Sequence, residues 1–126
     1  MSKKILVLCG HPDKESFSGV VCDHYQVAAE DAGHEVTRVN IGDLNFDPIL
    51  HKGYKEIQIL EQDLLDLQEK FKQTEHIVIV YPNWWCAMPA LLKGLFDRFW
   101  LPGFAFNFNK QTRKVEKHLT GKSARV

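Results

Sequence analysis

The stretch KKILVLCGHPDKESFSGVV, Lys3–Val21, decides the fold. It opens on an unbroken apolar run, Ile5–Cys9, passes through a polar loop, and enters a helix at Phe17. An apolar run that does not alternate is the mark of a strand buried on both faces, as in a parallel sheet covered by helices. The loop offers an imidazole at His11 and hydroxyls at Ser16 and Ser18. Hydroxyl and amide donors at a helix N-terminus form an anion site that the helix dipole favours, although either serine can equally serve as a plain N-cap. The loop is neither GxGxxG nor GxxxxGK[ST], so neither a dinucleotide fingerprint nor a P-loop is present.

From here the chain alternates. Phe17, Val20, Val21, His24, Val27 and Ala28 recur at helical spacing, and Gly33 supplies the stop. HEVTRVNI alternates as an edge strand does, and GDLNFDPILHKG reads as a loop. Ile57, Leu60, Leu64, Leu67 and Phe71 predict a second helix ending near Thr74. HIVIVY is another fully apolar strand, followed abruptly by PNWWCAMPA. Pro89 suits the first position of a third helix whose buried face is Leu91, Leu92, Leu95, Phe96 and Phe99. The remainder begins as loop or ribbon, and its last residues open a further strand.

Strand and helix in alternation predict an α/β domain, a parallel sheet wrapped by helices through right-handed crossovers. The two most apolar strands belong at the centre and the alternating one outside, giving a local order 2-1-3. Ligands of such sheets bind beyond the strand C-termini where the order reverses, which here lies between the first and third strands. Topology therefore brings HPDKESFS and PNWWCAMP side by side. Trp84 and Trp85, beside Pro82 and Asn83, offer a flat apolar platform with adjacent amides; the competing expectation is that both are core plugs. Phosphate donors on one side and a ring platform on the other describe a flavin mononucleotide site.

The bulk properties fit a soluble domain: 44% hydrophobic and 25% charged over 126 residues. Sixteen basic residues balance sixteen acidic ones, so net charge supplies no electrostatic argument for nucleic acid or an anionic membrane. The N-terminal apolar run is too short for a signal peptide or a span, and a cytoplasmic location is the expectation. Cys9, Cys22 and Cys86 are odd in number and lack a CxxC pair, which argues against a disulfide framework and a structural metal site.

GHPDKESFS together with YPNWWCAMPALLKGLFDRFW and GFAF resembles the NAD(P)H:quinone oxidoreductase family, the flavodoxin-like flavoproteins that include DT-diaphorase. The resemblance spans essentially the whole chain. It implies a flavodoxin-like three-layer α/β/α fold, with residues 1–126 forming the N-terminal part of a longer domain. His11, Ser16, Phe17 and Ser18 would bind the flavin phosphate, Ser18 standing where the family commonly has Asn. Pro82, Asn83, Trp84, Trp85 and Cys86 would lie along the isoalloxazine, Cys86 standing where an aromatic is frequent. The cofactor would be FMN or FAD, the reductant NAD(P)H and the acceptor a quinone or similar molecule.

A homodimer is implied too, with the aromatic run Trp100, Phe104, Phe106 and Phe108 as its candidate surface. On the family pattern the tyrosine and histidine of hydride transfer lie in a later segment, so no catalytic acid or base is assigned. Two alternatives accompany this expectation: a regulatory flavodoxin-like subunit of a cytoplasmic potassium-efflux system, and a flavin-binding electron carrier. A short central sheet would leave the third strand's edge open.

Overall fold

A computed structural model describes residues 1–126. Strand β1 (Lys4–Cys9) leads to helix α1 (Phe17–Asp31), β2 (Glu35–Asn40), a single 3-10 turn (Ile41–Asp43), α2 (Gln62–Gln73), β3 (His76–Val80) and α3 (Ala90–Phe99). A two-stranded ribbon, β4 (Phe106–Asn109) and β5 (Lys114–Lys117), precedes a last strand, β6 (Ser123–Arg125). The central sheet has the order β2-β1-β3-β6 and is parallel throughout.

The expected 2-1-3 order is therefore present, with β2 at the edge. The unbroken run in β1 is explained by its two faces. Leu6 and Leu8 enter one core with Leu64, Leu67, Phe71, Leu92, Leu95 and Phe99 of α2 and α3. Ile5, Val7 and Cys9 enter the other with Cys22 and Ala29 of α1 and Val78 of β3. Side chains alternate sides along a strand, so a strand with helices on both faces needs apolar residues at every position. Burial and the neighbouring Cys9 push the Cys22 thiol up to about 12, which leaves it an inert packing group.

Four expectations need correction. The buried face of α1 is Ser18, Gly19, Cys22 and Ala29, whereas Phe17 is 83% exposed and Val20, Val21 and Val27 are exposed too. Helical spacing located the helix, but the close fit of its first turn needs small residues, and these took the inner side. Helix α2 begins only at Gln62, leaving Ile57 almost fully exposed on the preceding loop. Pro89 caps α3 rather than starting it. In the aromatic run, Phe104 is buried and Trp100 half-buried; Phe104 meets Phe99 edge-on at 5.0 Å and Trp100 stacks on it at 6.3 Å. These rings complete the α2–α3 core and are not free to form a surface.

The outer edge of β3 is only partly open. Strand β6 pairs with His76–Val78, so the unpaired part of that edge is Ile79–Val80. Lys122 secures the approach, its ammonium donating to the Thr74 and Lys72 carbonyls at the end of α2. His76 lies within 2.7 Å of the Ser123 hydroxyl through Nδ1. Burial, then Lys3 and Arg125, lower its pKa below the ordinary histidine value. A lowered folded pKa means the unfolded chain binds the proton more readily. The neutral ring's stabilisation is complete above about pH 6.5 and is lost as pH falls through the folded value. Acidification is expected to loosen β6 first: the amide protection factors at Ser123–Arg125, corrected for the intrinsic exchange rate, should fall below about pH 6.5, and His76→Gln should flatten that dependence. Equal pH dependence in both proteins would refute the assignment to His76.

Candidate functional site

Two loops leave the C-terminal ends of adjacent strands. The pairing of Cys9 with Val80 and a 2.7 Å hydrogen bond from the Gly10 amide to the Val80 carbonyl fix them next to each other. They touch through His11 and Trp84, whose rings meet edge-to-face with centroids 5.1 Å apart. The switch point predicted from strand order is thus a physical junction.

In the first loop, His11 Nδ1 accepts the Asp13 amide at 2.8 Å. That bond puts the proton of a neutral ring on Nε2, which makes no hydrogen bond to protein. Asp13 in turn accepts the Glu15 amide at 2.9 Å, tightening the turn. Ser16 is the N-cap of α1, its Oγ accepting the Gly19 amide at 3.3 Å. The plain N-cap reading therefore holds for Ser16. It does not hold for Ser18, a residue 6% exposed whose hydroxyl makes no hydrogen bond within the chain and keeps its oxygen open to solvent. The amides of Phe17 and Ser18 also meet no acceptor within the chain. An N-cap hydroxyl, an unpartnered hydroxyl and two free amides at a helix N-terminus are a donor set suited to an anion. The Phe17 side chain points to solvent, so its part in this set is its amide.

Two glycines that motif reasoning missed shape this cradle. A Cβ on Gly19 would lie 1.8 Å from the Lys14 carbonyl oxygen, and one on Gly42 would lie 1.9 Å from that of Pro12. The loop is clasped between the start of α1 and the end of β2 at distances only glycine permits. Gly19 directly follows Ser18 and Gly42 lies well beyond the loop, and neither falls in a motif that marks such a contact, so sequence alone did not assign them this role. Across the opening, Lys14 and Asp43 form an exposed ion pair at 3.2 Å, which tethers the loop to the 3-10 turn only weakly.

The second loop is a tight turn. Trp84 and Ala87 exchange both backbone hydrogen bonds, at 2.9 and 3.1 Å, and between them Trp85 and Cys86 have φ of 53° and 60°. Two consecutive positive φ values are the backbone of a primed hairpin turn, normally built with Asn-Gly. Placing Trp and Cys there costs on the order of 1 kcal/mol each or more. The turn leaves the Trp85 and Cys86 amides unpaired within the chain. Trp85 is fully exposed, Trp84 is 45% exposed, and Asn83 and Cys86 are exposed, with Pro82 half-buried. The core-plug expectation for the tryptophans is overturned. The strained turn thus holds an indole in solvent beside two free amides. Cys86→Gly is expected to raise stability by about 1 kcal/mol, because glycine adopts this φ without a Cβ penalty. Thermal unfolding checks it, and a lowered Tm would contradict the strain.

An open groove of about 620 Å³ adjoins this turn, lined by Val21, Tyr25, Val80, Tyr81, Asn83 and Cys86 among others. It shares Asn83 and Cys86 with the second loop but reaches neither His11 nor the serines. The structure therefore joins the nine expected residues into two neighbouring donor sets, with the larger hollow to one side. No helix is long and apolar enough to cross a membrane.

Residues 3–126 match the family described as flavodoxin-like fold. An uncharacterized NAD(P)H oxidoreductase of Haemophilus influenzae is 31% identical over 107 residues, covering 80% of this chain and 52% of the relative. The ribosyldihydronicotinamide dehydrogenase [quinone] of Rattus norvegicus is 29% identical, covering 83% and 54%. The NAD(P)H:quinone oxidoreductase structure from Methanothermobacter marburgensis superposes with a TM-score of 0.77 at 26% identity, over 94% of this chain and 62% of that one. The chain spans about half the length of the curated relatives it matches. On a match that runs almost its whole length, and on the sheet order and switch-point site that such a match requires, the chain belongs to the flavodoxin-like fold family.

Proposed function

We propose that this chain binds FMN across its two loops and serves as the flavin-holding part of an NAD(P)H oxidoreductase that reduces quinones or similar acceptors. The observation that carries the proposal is the strained Trp84–Ala87 turn, which holds Trp85 in solvent beside unpaired amides and touches the donor-rich first loop through His11. Both halves of a flavin find partners of the right kind. The Ser16 and Ser18 hydroxyls, the Phe17 and Ser18 amides and His11 Nε2–H would hold the phosphate. Pro82, Asn83, Trp84, Trp85 and the free amides of Trp85 and Cys86 would lie along the ring and its polar edge. Nothing in the two loops forms an adenosine pocket, which favours FMN over FAD.

Bound flavin supplies the two-electron chemistry, taking hydride from a nicotinamide and passing it to the acceptor. This chain's own groups bind, orient and shield it. The names of the relatives, nicotinamide-dependent oxidoreductases and quinone dehydrogenases, support that activity for the protein as a whole. The three unpaired thiols support a reducing, cytoplasmic setting. A homodimer is part of the same proposal, with Phe106 and Phe108 rather than Trp100 and Phe104 available for a surface.

The test is anaerobic stopped-flow absorbance of the FMN-loaded protein mixed with NADH or NADPH, followed by a quinone. Bleaching of the flavin band by nicotinamide and its return on adding quinone are expected. A flavin that stays oxidised with both nicotinamides, and returns no faster with quinone after chemical reduction, would leave a flavin-binding protein of another kind.

A further inference from the structure

The segment between the 3-10 turn and α2, Leu44–Glu61, has no helix or strand of its own and is far longer than the usual connection. It carries Ile49, Tyr54, Ile57 and Ile59, each more than half exposed. Beside them lies a hollow of about 410 Å³, lined by Leu50, Tyr54, Ile57, Leu101 and Pro102. Arg98, almost wholly buried, forms its floor, and the exposed Glu56 stands at its mouth. The hollow shares no residue with the two loops of the flavin site, with the groove beside them, or with Phe106 and Phe108.

Its walls are held in place by hydrogen bonds within the segment and to α3. Gly53, at φ 58°, turns the chain, and its amide donates to the Leu50 carbonyl at 3.3 Å. The Gln58 side chain braces the segment, its Nε2 donating to the Ile49 carbonyl at 2.9 Å and its Oε1 accepting the His51 amide at 3.2 Å. The Tyr54 hydroxyl donates to the Asp97 carbonyl at 3.3 Å, which ties that wall to α3. Arg98 commits both terminal nitrogens to the Asp47 and Ile59 carbonyls and to Glu61. Its Nε–H makes no hydrogen bond within the chain yet stays accessible, and the hollow is where Arg98 meets solvent. A charged N–H at the floor of an apolar hollow calls for an acceptor. At the mouth, Glu56 has no cation within ion-pair distance.

We infer that this hollow binds a planar aromatic amide, a flat ring bearing a carbonyl acceptor next to an N–H donor. The carbonyl takes the Arg98 Nε–H, the amide N–H turns to the Glu56 carboxylate, and the ring lies among Leu50, Ile57, Leu101 and Pro102. Few polar groups set in apolar walls are the usual make-up of a small-molecule site, and the volume lies in the usual range. The charges select a neutral ligand. Glu61 already faces the Arg98 charge, so an anion would meet Glu56 without a free cation to offset it. A ligand without an acceptor would leave the Nε–H unpaired and desolvated. The inference stands apart from the flavin reading and from the homodimer surface, since no residue assigned to either lines the hollow.

Titration of the isotope-labelled chain with nicotinamide, followed by amide chemical shifts, tests it. The second probe is 3-acetylpyridine, which keeps the ring and carbonyl but has a methyl in place of the NH2. Saturable shifts within residues 50–58 and 98–102 are expected, with 3-acetylpyridine about ten-fold weaker because it lacks the bond to Glu56. Glu56→Ala should weaken nicotinamide by that factor and leave 3-acetylpyridine unchanged. Ile57→Ser should weaken both. Glu56 and Ile57 are exposed, so circular dichroism should show unchanged folding. No saturable response in those residues overturns the inference. So do equal affinities of the two probes for the unaltered chain, indifference of nicotinamide to Glu56→Ala, or shifts confined to Trp84–Cys86. The same signals moving with protein concentration and not with nicotinamide would assign the hollow to a second copy and overturn it too.

Discussion

Gly19→Ala is expected to raise the Kd for FMN by about 100-fold and to lower the stability of the chain. Helix propensity alone predicts the opposite sign for stability, since alanine inside a helix is favoured over glycine by about 1 kcal/mol. The deciding quantity is the 1.8 Å between the added Cβ and the Lys14 carbonyl oxygen, with the Lys14 carbonyl carbon at 2.7 Å. Both neighbours are backbone, so α1 or the loop must shift by more than an ångström. Overpacking of that kind costs about 1–3 kcal/mol, which outweighs the propensity gain.

The shift separates the Ser16 and Ser18 hydroxyls and the Phe17 and Ser18 amides from the position a phosphate would take. Hydrogen bonds to a charged group are worth about 1.5–3 kcal/mol each, so loss of one or two gives the stated factor. Quenching of FMN fluorescence on titration measures it. Gly42→Ala, pressing on Pro12 from the other side, should behave alike. Unchanged FMN affinity in folded variants of both would show that the first loop does not hold the phosphate.

Arg98→Met is expected to destabilise the chain by about 3 kcal/mol and to free the β2–α2 loop. Arg98 of α3 is only 1% exposed, the largest side chain so fully buried. Its Nη1 donates to the Asp47 carbonyl at 2.5 Å and to Glu61 at 3.2 Å, and its Nη2 to the Ile59 carbonyl at 2.9 Å and to Glu61 at 3.2 Å. One guanidinium thus ties both ends of the loop to one helix. Methionine keeps the stem's packing but leaves the Asp47 and Ile59 carbonyls without the guanidinium they face. Glu61 is one-third exposed on its side chain and can regain water, so the loss stays below that of a fully buried broken pair.

Thermal unfolding should show Tm lower by on the order of 10 °C, with new proteolytic sensitivity within 44–61. A change below about 1 kcal/mol would mean the loop is held by its apolar contacts instead. Burial alone would raise the Glu61 pKa, but the Asp47 amide and Arg98 outweigh it and hold the carboxyl below its ordinary value. A lowered carboxylate pKa stabilises the fold above the unfolded value. The loop's anchor is therefore present at neutral pH and is lost as pH falls through and below the usual carboxylate range.

Much of the architecture was legible because a sheet with helices on both faces writes itself in residues 5–9 and 76–80 as unbroken apolar runs. The junction of the two loops followed from strand order alone, and His11 against Trp84 is its physical form. What resisted reading shares one cause, the dependence on distant backbone. Gly19 and Gly42 matter only because Lys14 and Pro12 lie against them. Arg98 resembles an ordinary exposed helix residue until the loop folds over it. Ile57 keeps helical spacing with Leu60 and Leu64, yet the loop held by Arg98 takes that segment out of α2. The charge of residues 106–126 vanished in a sum over the whole chain, since their +5 is cancelled by the −5 of residues 1–105.

The central claim is that the two loops form one flavin site, and equilibrium titration of FMN into this chain, read by fluorescence quenching, tests it most directly. Saturable one-to-one binding is expected, weakened both by Trp85→Ala on the ring side and by Ser18→Ala on the phosphate side. The absence of saturable quenching at excess FMN, in a chain whose circular dichroism shows the α/β fold intact, would contradict it.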